Sequence, residues 1–206
     1  MLAARLITFL ALTREPVSAD IPPAAQKYVA ALGLQRQPFG NYFAPTFTSP
    51  FSVSGLPAKF AGGTRRLSSA IYNLFASDDG AGSSQRGFPL HQLQQDETWH
   101  YYDGDGPIVL YLFNFTSGAV QQTSLGRLDA SAHAGHTLMA QFTVPGSTWV
   151  GALLATNTSW AFTGAQTTPA FDPRDSTMVA GNDKLLHQFY EGFPSYRALI
   201  HRLTSF

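Results

Sequence analysis

The sequence contains no cysteine in 206 residues, and only 13% of its residues are charged. The missing cysteine excludes disulfide frameworks, thiolate zinc sites, iron–sulfur clusters and cysteine nucleophiles. The 13 Lys and Arg residues equal the 13 Asp and Glu residues in number, so the concentrated positive charge that nucleic-acid binding needs is absent. The chain also has no G-x-S-x-G nucleophile motif and no phosphate-binding glycine loop, which argues against acyl-enzyme hydrolysis and nucleotide chemistry.

Apolar and aromatic side chains are plentiful. Hydrophobic residues make up 44% of the chain and aromatic residues 13%, with 16 Phe. A chain of this length buries roughly 70% of the surface of its unfolded state, which is enough for a large core. The composition therefore predicts a globular protein with a core or cavity lined by aromatic rings.

Residues 1–22 differ from the rest of the chain. Arg5 supplies a positive charge, Leu6–Leu12 is a short apolar run, and Val17–Ala19 resembles a small-residue cleavage site. This pattern predicts a secretory signal peptide, or otherwise an amphipathic N-terminal extension. The run is too short to span a bilayer, which needs about 20 apolar residues. We expect a secreted protein, with the cytoplasm as the alternative, and one domain over residues 23–206.

Two N-glycosylation sequons are compatible with secretion. They begin at Asn114 and Asn157, and they predict a glycoprotein if the chain enters the secretory pathway. Both also lie in or beside apolar, strand-like runs, so each is equally explained as an asparagine at the end of a strand.

Short strands dominate the predicted secondary structure. A helix over Ala24–Leu32 ends at Gly33, and two more helices are predicted over Asn182–Phe189 and Pro194–Thr204. The predicted strands are Ser68–Phe75, Glu97–Tyr102, Ile108–Phe115, Thr123–Leu128, Met139–Val144, Thr148–Leu154 and Trp160–Gln166. Short strands at this spacing with no helix between them are typical of an all-β sandwich or barrel.

The strand Ile108–Phe115 (IVLYLFNF) is apolar on both faces. A sandwich strand usually has one face in contact with water, so something must cover the second face. A terminal helix or a second subunit could do this. We expect a homodimer, with an intramolecular cover as the alternative.

The segment Phe88–Gly106 contains most of the residues suited to chemistry. On a strand that starts at Glu97, the side chains of Glu97, Trp99 and Tyr101 share one face, while His100 points to the other. Inside an aromatic barrel, desolvation favours the protonated form of a carboxylate, which suits proton transfer. His91 lies just before the turn and could point to the same interior.

Other polar residues in the sequence have simpler interpretations. Arg65 and Arg66 are expected to be a solvated pair, because short charge runs usually lie at the surface. Gly104–Gly106 is expected to form a tight turn in which glycine adopts a positive φ. His133 and His136 lie in an Ala/Gly-rich loop, where a surface site or pocket rim is conceivable.

The segment containing His91 and Glu97 resembles the first motif of the cupins. His91, Leu93, Glu97 and Gly104 fall on the frame His-x-His-(x)3-Glu-(x)6-Gly, and Val144–Trp149 echoes the second motif. The chain is most similar to an uncharacterised cupin subfamily, matched in order by residues 32–49, 69–75, 91–107, 141–152 and 164–180. The resemblance implies a jelly-roll barrel, the double-stranded β-helix, commonly dimeric and with a pocket at one mouth.

The chain departs from the cupin pattern where a metal would bind. The second histidine of the first motif is Leu93, and no histidine follows near Trp149. If a metal is bound, His91, Glu97 and Gln141 are its ligands, but divalent metals usually need three or four good ones and Gln is a poor one. We therefore expect no cofactor. Subfamily positions that are usually charged are neutral at Phe39–Asn41, Ala44–Pro45 and Gln92, which predicts a fairly apolar ligand.

These features favour a cupin that binds a small organic molecule. The leading hypothesis is a cofactor-independent isomerase or cyclase, of the kind found in secondary metabolism, with Glu97 and His91 moving a proton and Tyr101 stabilising oxyanion charge. The alternatives are a non-catalytic binding or storage protein and a metal-dependent oxygenase or epimerase. The predicted ligand-binding residues are Trp99, Gln141, Trp149, Tyr72, Phe43 and His100.

Overall fold

The computed structural model describes residues 21–38, 40–60, 63–76, 87–128 and 138–205. Its helices are α1 (Pro23–Leu32), α2 (Asp183–Gly192) and α3 (Arg197–Thr204). Its strands are β1 (Gln35–Arg36), β2 (Tyr42–Thr48), β3 (Ser52–Val53), β4 (Arg65–Arg66), β5 (Ser69–Ala76), β6 (Gly87–Leu93), β7 (Asp96–Gly104), β8 (Ile108–Asn114), β9 (Ala119–Leu125), β10 (Leu138–Met139), β11 (Gln141–Val144), β12 (Trp149–Leu154), β13 (Trp160–Thr168) and β14 (Ser176–Met178).

Twelve of these strands form two six-stranded sheets that enclose the core, and β3 and β4 pair in a separate two-stranded sheet. The first sheet has the order β1-β2-β5-β13-β7-β11, and the second has the order β10-β9-β8-β12-β6-β14. All neighbours in these sheets are antiparallel except β9 and β10. Apart from β1–β2, β8–β9 and β9–β10, neighbouring strands in these sheets are far apart in sequence, as in a jelly roll. The predicted all-β jelly roll with short terminal helices is confirmed.

The three predicted helices form, but α2 continues to Gly192, three residues beyond the predicted end at Phe189, and a 3₁₀ turn over Pro194–Tyr196 precedes α3, which begins at Arg197. Proline occupies the first turn of α1, where its missing N–H costs nothing, and Gly33 ends the helix in the left-handed conformation at φ 63°. The Asn182 side chain caps α2 by accepting a hydrogen bond from the Leu185 N–H at 3.1 Å. Helix α1 covers the outer face of the first sheet, and α2 and α3 cover the outer face of the second.

The barrel interior is lined by alternate residues of both sheets. Its buried members are Phe75, Trp99, Tyr101, Ile108, Leu110, Leu112, Leu125, Val144, Val150, Ala152, Leu154 and Ala161. Each comes from a strand in which the intervening residues point outward, as the two-residue period requires. This interior surrounds the site described below.

The outer face of β8 is covered by the C-terminal helices. The Phe113 ring contacts the rings of Phe189 and Phe193 edge-on, with centroids 5.5 Å and 5.1 Å away. The intramolecular alternative therefore explains why this strand is apolar on both faces. Homodimerisation is not required by this face and stays a prediction.

Helix α3 packs closely against β12 at Gly151. A Cβ atom at this position would lie 2.8 Å from Cδ2 and 3.0 Å from Cδ1 of Leu203. We expect Gly151→Ala to lower the free energy of unfolding by about 1–3 kcal/mol through overpacking, measured by urea denaturation. Leu203→Val shortens the opposing side chain and should recover part of this loss in the double variant. Strictly additive effects of the two substitutions would contradict the contact.

The prediction of a solvated arginine pair is wrong for Arg65. Arg65 is 3% exposed, and its Nε and Nη2 donate to the two carboxylate oxygens of Asp175 at 2.7 Å and 2.8 Å. The Asp175 side chain is 0% exposed. Arg66 is exposed, because successive residues of a strand point to opposite faces.

The turn at Gly104–Gly106 forms, but the expected reason is wrong. Neither glycine has a positive φ. A Cβ atom at Gly104 would overlap the Tyr101 hydroxyl, and one at Gly106 would overlap the Thr158 side chain. Glycine is needed here because other groups approach the backbone closely.

Several predictions concern segments that the structure leaves undescribed. The proposed signal peptide falls almost entirely within residues 1–20, and His133 and His136 also lie outside the described residues. Secretion and glycosylation stay predictions. Among the described residues, no helix is both long and apolar enough to cross a membrane.

Candidate functional site

An irregularity in β6 brings His91 into the barrel. Val150 of β12 pairs with His91, but Ala152 pairs with Phe88, so β6 bulges at Pro89 and Leu90. Proline is tolerated at a bulge because no ladder hydrogen bond is needed there. The bulge turns Phe88 and His91 toward each other, with ring centroids 4.9 Å apart and nearly perpendicular planes. The His91 imidazole is consequently buried, with a 3% exposed side chain.

One hydrogen bond fixes the tautomer of His91. Its Nδ1 lies 2.9 Å from the Pro89 carbonyl oxygen. A carbonyl can only accept, so Nδ1 carries a proton and donates it. The other ring nitrogen, Nε2, faces Glu97 Oε2 at 3.7 Å. In the neutral ring Nε2 is a proton acceptor directed at a carboxyl group.

Glu97 enters the same interior from β7. Strand alternation buries Glu97, Trp99 and Tyr101 together on the inner face, as the sequence predicts. The Trp99 indole N–H donates to Glu97 Oε2 at 2.7 Å. The second oxygen, Oε1, forms no hydrogen bond with any residue that the structure describes, and the side chain is 10% exposed. Glu97 is therefore held through one oxygen, and the other is available to a ligand.

The wall around His91 and Glu97 is aromatic and aliphatic. The Phe88 and Phe75 rings pack against Trp99 with centroids 6.2 Å and 6.1 Å away. Val144 is the register partner of Glu97 on β11, and Val150 is that of His91 on β12. The two titratable groups thus share a largely buried, apolar environment in which charge interactions are strengthened.

An open groove of about 930 Å³ borders this chamber. Leu112 and Phe142 line both the groove and the barrel interior. On β12, Val150 is the register partner of both Leu112 on β8 and His91 on β6. Leu112 and His91 are therefore two strand spacings apart, about 10 Å. Phe142 is the partner of Trp99. The groove therefore shares two wall residues with the barrel interior, and His91 and Glu97 lie behind that wall without lining the groove.

Tyr101 lies at the opposite end of the interior. It is four residues beyond Glu97 on the same strand, about 13 Å away, and its hydroxyl donates to the Gly106 carbonyl at 2.8 Å. Burial raises the pKa of Tyr101. The structure does not bring this hydroxyl to the pair. Phe43 lies level with Tyr101 across the first sheet, and therefore also far from the pair. The register partners run from Phe43 to Asn73, then to Thr163, and from Thr163 to Tyr101.

The remaining predicted ligand-binding residues, apart from Trp99, lie outside the chamber. His100 stacks on Tyr102 on the outer face of the first sheet, with parallel rings 6.3 Å apart, and its register partner Gln141 is exposed. Tyr72 joins the same outer cluster by contacting Tyr102 edge-on at 5.8 Å. Trp149 lines the groove but packs against a ring of helix α2.

The residues present do not fit a cupin metal centre. His91 and Glu97 converge, but position 93 is leucine and Gln141 points away from them. Across the part of the chain that the structure describes, no three His, Asp or Glu side chains lie close enough together to hold a metal ion. Two ligands fall short of the three or four that such ions need, so no step is assigned to a metal.

A tyrosine that the sequence did not single out ties α1 to the barrel. The Tyr28 hydroxyl donates to Asp103 Oδ2 at 2.5 Å. This bond raises the pKa of Tyr28 to about 12 and holds the pKa of Asp103 below its ordinary value. The contact joins residues 75 positions apart, and no local pattern could have revealed it.

We expect Tyr28→Phe to raise the pKa of Asp103 toward the ordinary value of about 3.9, measured by NMR titration of the carboxyl carbon. The free energy of unfolding near pH 7 should fall by about 1 kcal/mol. Because the folded-state pKa of Asp103 is depressed, this stabilisation is present above about pH 4 and is lost as the pH falls through the folded-state pKa. Tyr190→Phe is the control, since the Tyr190 hydroxyl forms no hydrogen bond with a described residue. Equal effects of the two substitutions would refute the contact.

Comparisons with known proteins agree on family and fold. The family model described as "Cupin superfamily (DUF985)" matches residues 26–179, whereas no curated protein matches the chain. A hypothetical protein from Leishmania major has 22% identity and a TM-score of 0.67, covering 87% of this chain and 98% of that one. A Shewanella oneidensis protein has 20% identity and a TM-score of 0.66, covering 87% and 96%.

A more distant structural match is Pac13 from Streptomyces, described as a unique nucleoside dehydratase. Its TM-score is 0.39 at 15% identity, covering 71% of this chain and 84% of that one. A TM-score this low carries no argument about substrate or mechanism. The stronger matches establish the fold alone.

Proposed function

We propose that this protein, which belongs to the cupin superfamily (DUF985), binds a small organic molecule at the barrel mouth and isomerises or cyclises it. The family supplies the fold, and the fold alone does not define a reaction. The proposal therefore rests on the chemistry of the His91–Glu97 pair.

The unpartnered oxygen of Glu97 is the observation that carries this proposal. Trp99 and His91 both approach Oε2, which leaves Oε1 free of any described partner. A carboxylate held through one oxygen can use the other to take a proton from a bound molecule. The apolar wall excludes water that would compete for that proton.

The fixed tautomer of His91 gives the pair a second function. With Nδ1–H held by the Pro89 carbonyl, only Nε2 gains or loses a proton. In the proposed active form His91 carries a second proton, on Nε2, and is an imidazolium, while Glu97 is a carboxylate. Glu97 removes a proton from one position of the substrate, and the His91 imidazolium returns a proton at another. Proton transfer from Glu97 to His91 then restores the pair, so the overall reaction rearranges bonds without a redox change or an added group.

The walls of the chamber indicate the kind of molecule that reacts there. Phe88, Trp99, Leu112 and Phe142 present apolar surface, which suits an apolar reacting portion. The negative charge that develops on the substrate when Glu97 removes a proton is stabilised by the positive charge of the His91 imidazolium. Tyr101 has no role in this proposal because its hydroxyl lies about 13 Å along the strand from Glu97.

Incubation of the protein with metabolite extracts tests the proposed function. Liquid chromatography with mass spectrometry should reveal one compound that disappears while an isomer of equal mass accumulates, as expected for isomerisation or cyclisation. A compound that is retained by the protein and released unchanged would instead indicate a non-catalytic binding or storage protein.

A further inference from the structure

A second pocket lies at the barrel rim beside Arg66 and belongs to no function described above. It has a volume of about 260 Å³ and is lined by Thr48, Ser52, Thr64, Arg65, Arg66, Ser69, Ala170, Phe171 and Asp172. Most of these residues come from β2, β3, β4, β5 and the segment after β13. The pocket is therefore held by the sheet framework on several sides.

The acidic groups of this pocket are already occupied. Asp172 accepts hydrogen bonds from Arg174 Nε at 2.9 Å and Arg174 Nη2 at 2.7 Å. The Arg174 side chain, together with the Arg174 backbone N–H, lowers the pKa of Asp172 to about 2. Asp175 is paired with the buried Arg65. Both carboxylates are thus already paired with arginines.

One cation and several hydrogen-bond donors remain available. The Arg66 side chain donates a hydrogen bond from Nη1 to the Pro50 carbonyl at 2.6 Å, and among the described residues no carboxylate pairs with it. The hydroxyls of Thr48, Ser52 and Thr64 likewise form no hydrogen bond with a described residue. Three arginines face two aspartates in this region, which leaves a single positive charge on Arg66. A site of free donors and one free cation selects an acceptor that carries negative charge.

One wall of the pocket belongs to the same inner row of the first sheet as Glu97. Thr48 pairs with Ser69, Ser69 with Thr167, and Thr167 with Glu97. Register partners point to one face, so these four side chains all point inward. The Ser69 and Thr167 hydroxyls lie 3.1 Å apart. Two strand spacings, about 10 Å, separate Ser69 at the pocket from Glu97.

We propose that this pocket binds an oxyanion, a carboxylate or a phosphate ester, through Arg66 and the surrounding hydroxyls. Phe171 is half exposed beside it and provides a flat apolar surface for the carbon skeleton that carries the anion. Building on the proposed function, the pocket holds the anionic end of the molecule whose apolar portion reacts at Glu97. The expected ligand is therefore amphipathic, with its charge about 10 Å from the reacting atom.

NMR titrations with benzoate, phenyl phosphate and benzyl alcohol test the anion site. Benzoate or phenyl phosphate should bind, and Arg66→Gln should weaken that binding about 10-fold or more. Benzyl alcohol, which lacks the charge, should bind no more tightly to the wild type than to this variant. Tighter binding of benzoate identifies a carboxylate site, and tighter binding of phenyl phosphate identifies a phosphate-ester site.

Two further variants test whether anion binding depends on Arg66 specifically and whether it is independent of the proposed reaction. Lys184→Gln removes one positive charge on α2, away from the pocket, and should leave anion binding unchanged. Glu97→Gln should also leave it unchanged, so a failure of the proposed reaction does not affect this test. Absence of anion binding, or equal binding by the wild type and Arg66→Gln, would overturn the anion site.

Discussion

Replacement of Arg65 by leucine is expected to lower the free energy of unfolding by about 3–5 kcal/mol, because it leaves a buried carboxylate without its partner. Asp175 has a side chain that is 0% exposed, and both of its oxygens accept hydrogen bonds from Arg65. Arg65 also donates to the Phe60 carbonyl at 2.7 Å. The substitution therefore leaves a charge in an environment that cannot solvate it.

The neighbouring arginine provides a matched control. Arg66→Leu removes the same side chain from an exposed position, and it should change the free energy of unfolding by no more than about 0.5–1 kcal/mol. Guanidinium denaturation of both variants measures the difference. The double variant Arg65→Leu with Asp175→Leu should be more stable than Arg65→Leu alone, since it removes the unpaired charge. Equal stability of the two single variants would contradict the buried ion pair.

Glu97→Gln is expected to reduce turnover of the substrate about 10²–10⁴-fold, the usual contribution of a general acid or base. Glutamine has nearly the same shape, and its amide oxygen can still accept the Trp99 indole N–H, but it cannot take up a proton. The loss should therefore appear in kcat, with substrate affinity and thermal stability nearly unchanged.

Asp96→Asn is the control for this substitution. Asp96 is the preceding residue on β7, is exposed, and accepts a hydrogen bond from the Gly146 N–H at 2.7 Å, which the asparagine oxygen can also do. Its turnover should match that of the wild type. His91→Gln should resemble Glu97→Gln, and the double variant should be little worse than either, because the two groups act as a unit. A Glu97→Gln enzyme with full turnover would exclude proton transfer by this carboxylate.

Local sequence patterns were sufficient to predict much of the fold. Strand alternation correctly placed Glu97, Trp99 and Tyr101 on one face, and the breaker at Gly33 correctly ended the first helix. Family membership, first indicated by the motif blocks, is confirmed by the family model. These features depend on residues close together in the sequence, where periodicity and capping act.

The local patterns failed where distant segments decide the outcome. Strand β2 was not predicted because Pro45 interrupts its apolar pattern, and β12 is apolar on both faces, so the sequence could not show that Trp149 points outward to a helix. Arg65 and Asp175 are 110 positions apart. Which of two adjacent arginines is buried depends on that distant carboxylate and has no local signature.

The central claim is that Glu97 and His91 exchange a proton with a bound molecule. Reaction in D2O, followed by mass spectrometry of the product, tests it most directly. Because the protons on Glu97 and His91 are expected to exchange with solvent each time the ligand leaves, the wild type should add solvent deuterium to a carbon of the product, raising its mass by about 1 Da per carbon-bound proton replaced, and Glu97→Gln should remove this incorporation. A wild-type product that forms without any deuterium, or deuterium incorporation that persists in Glu97→Gln, would contradict the account.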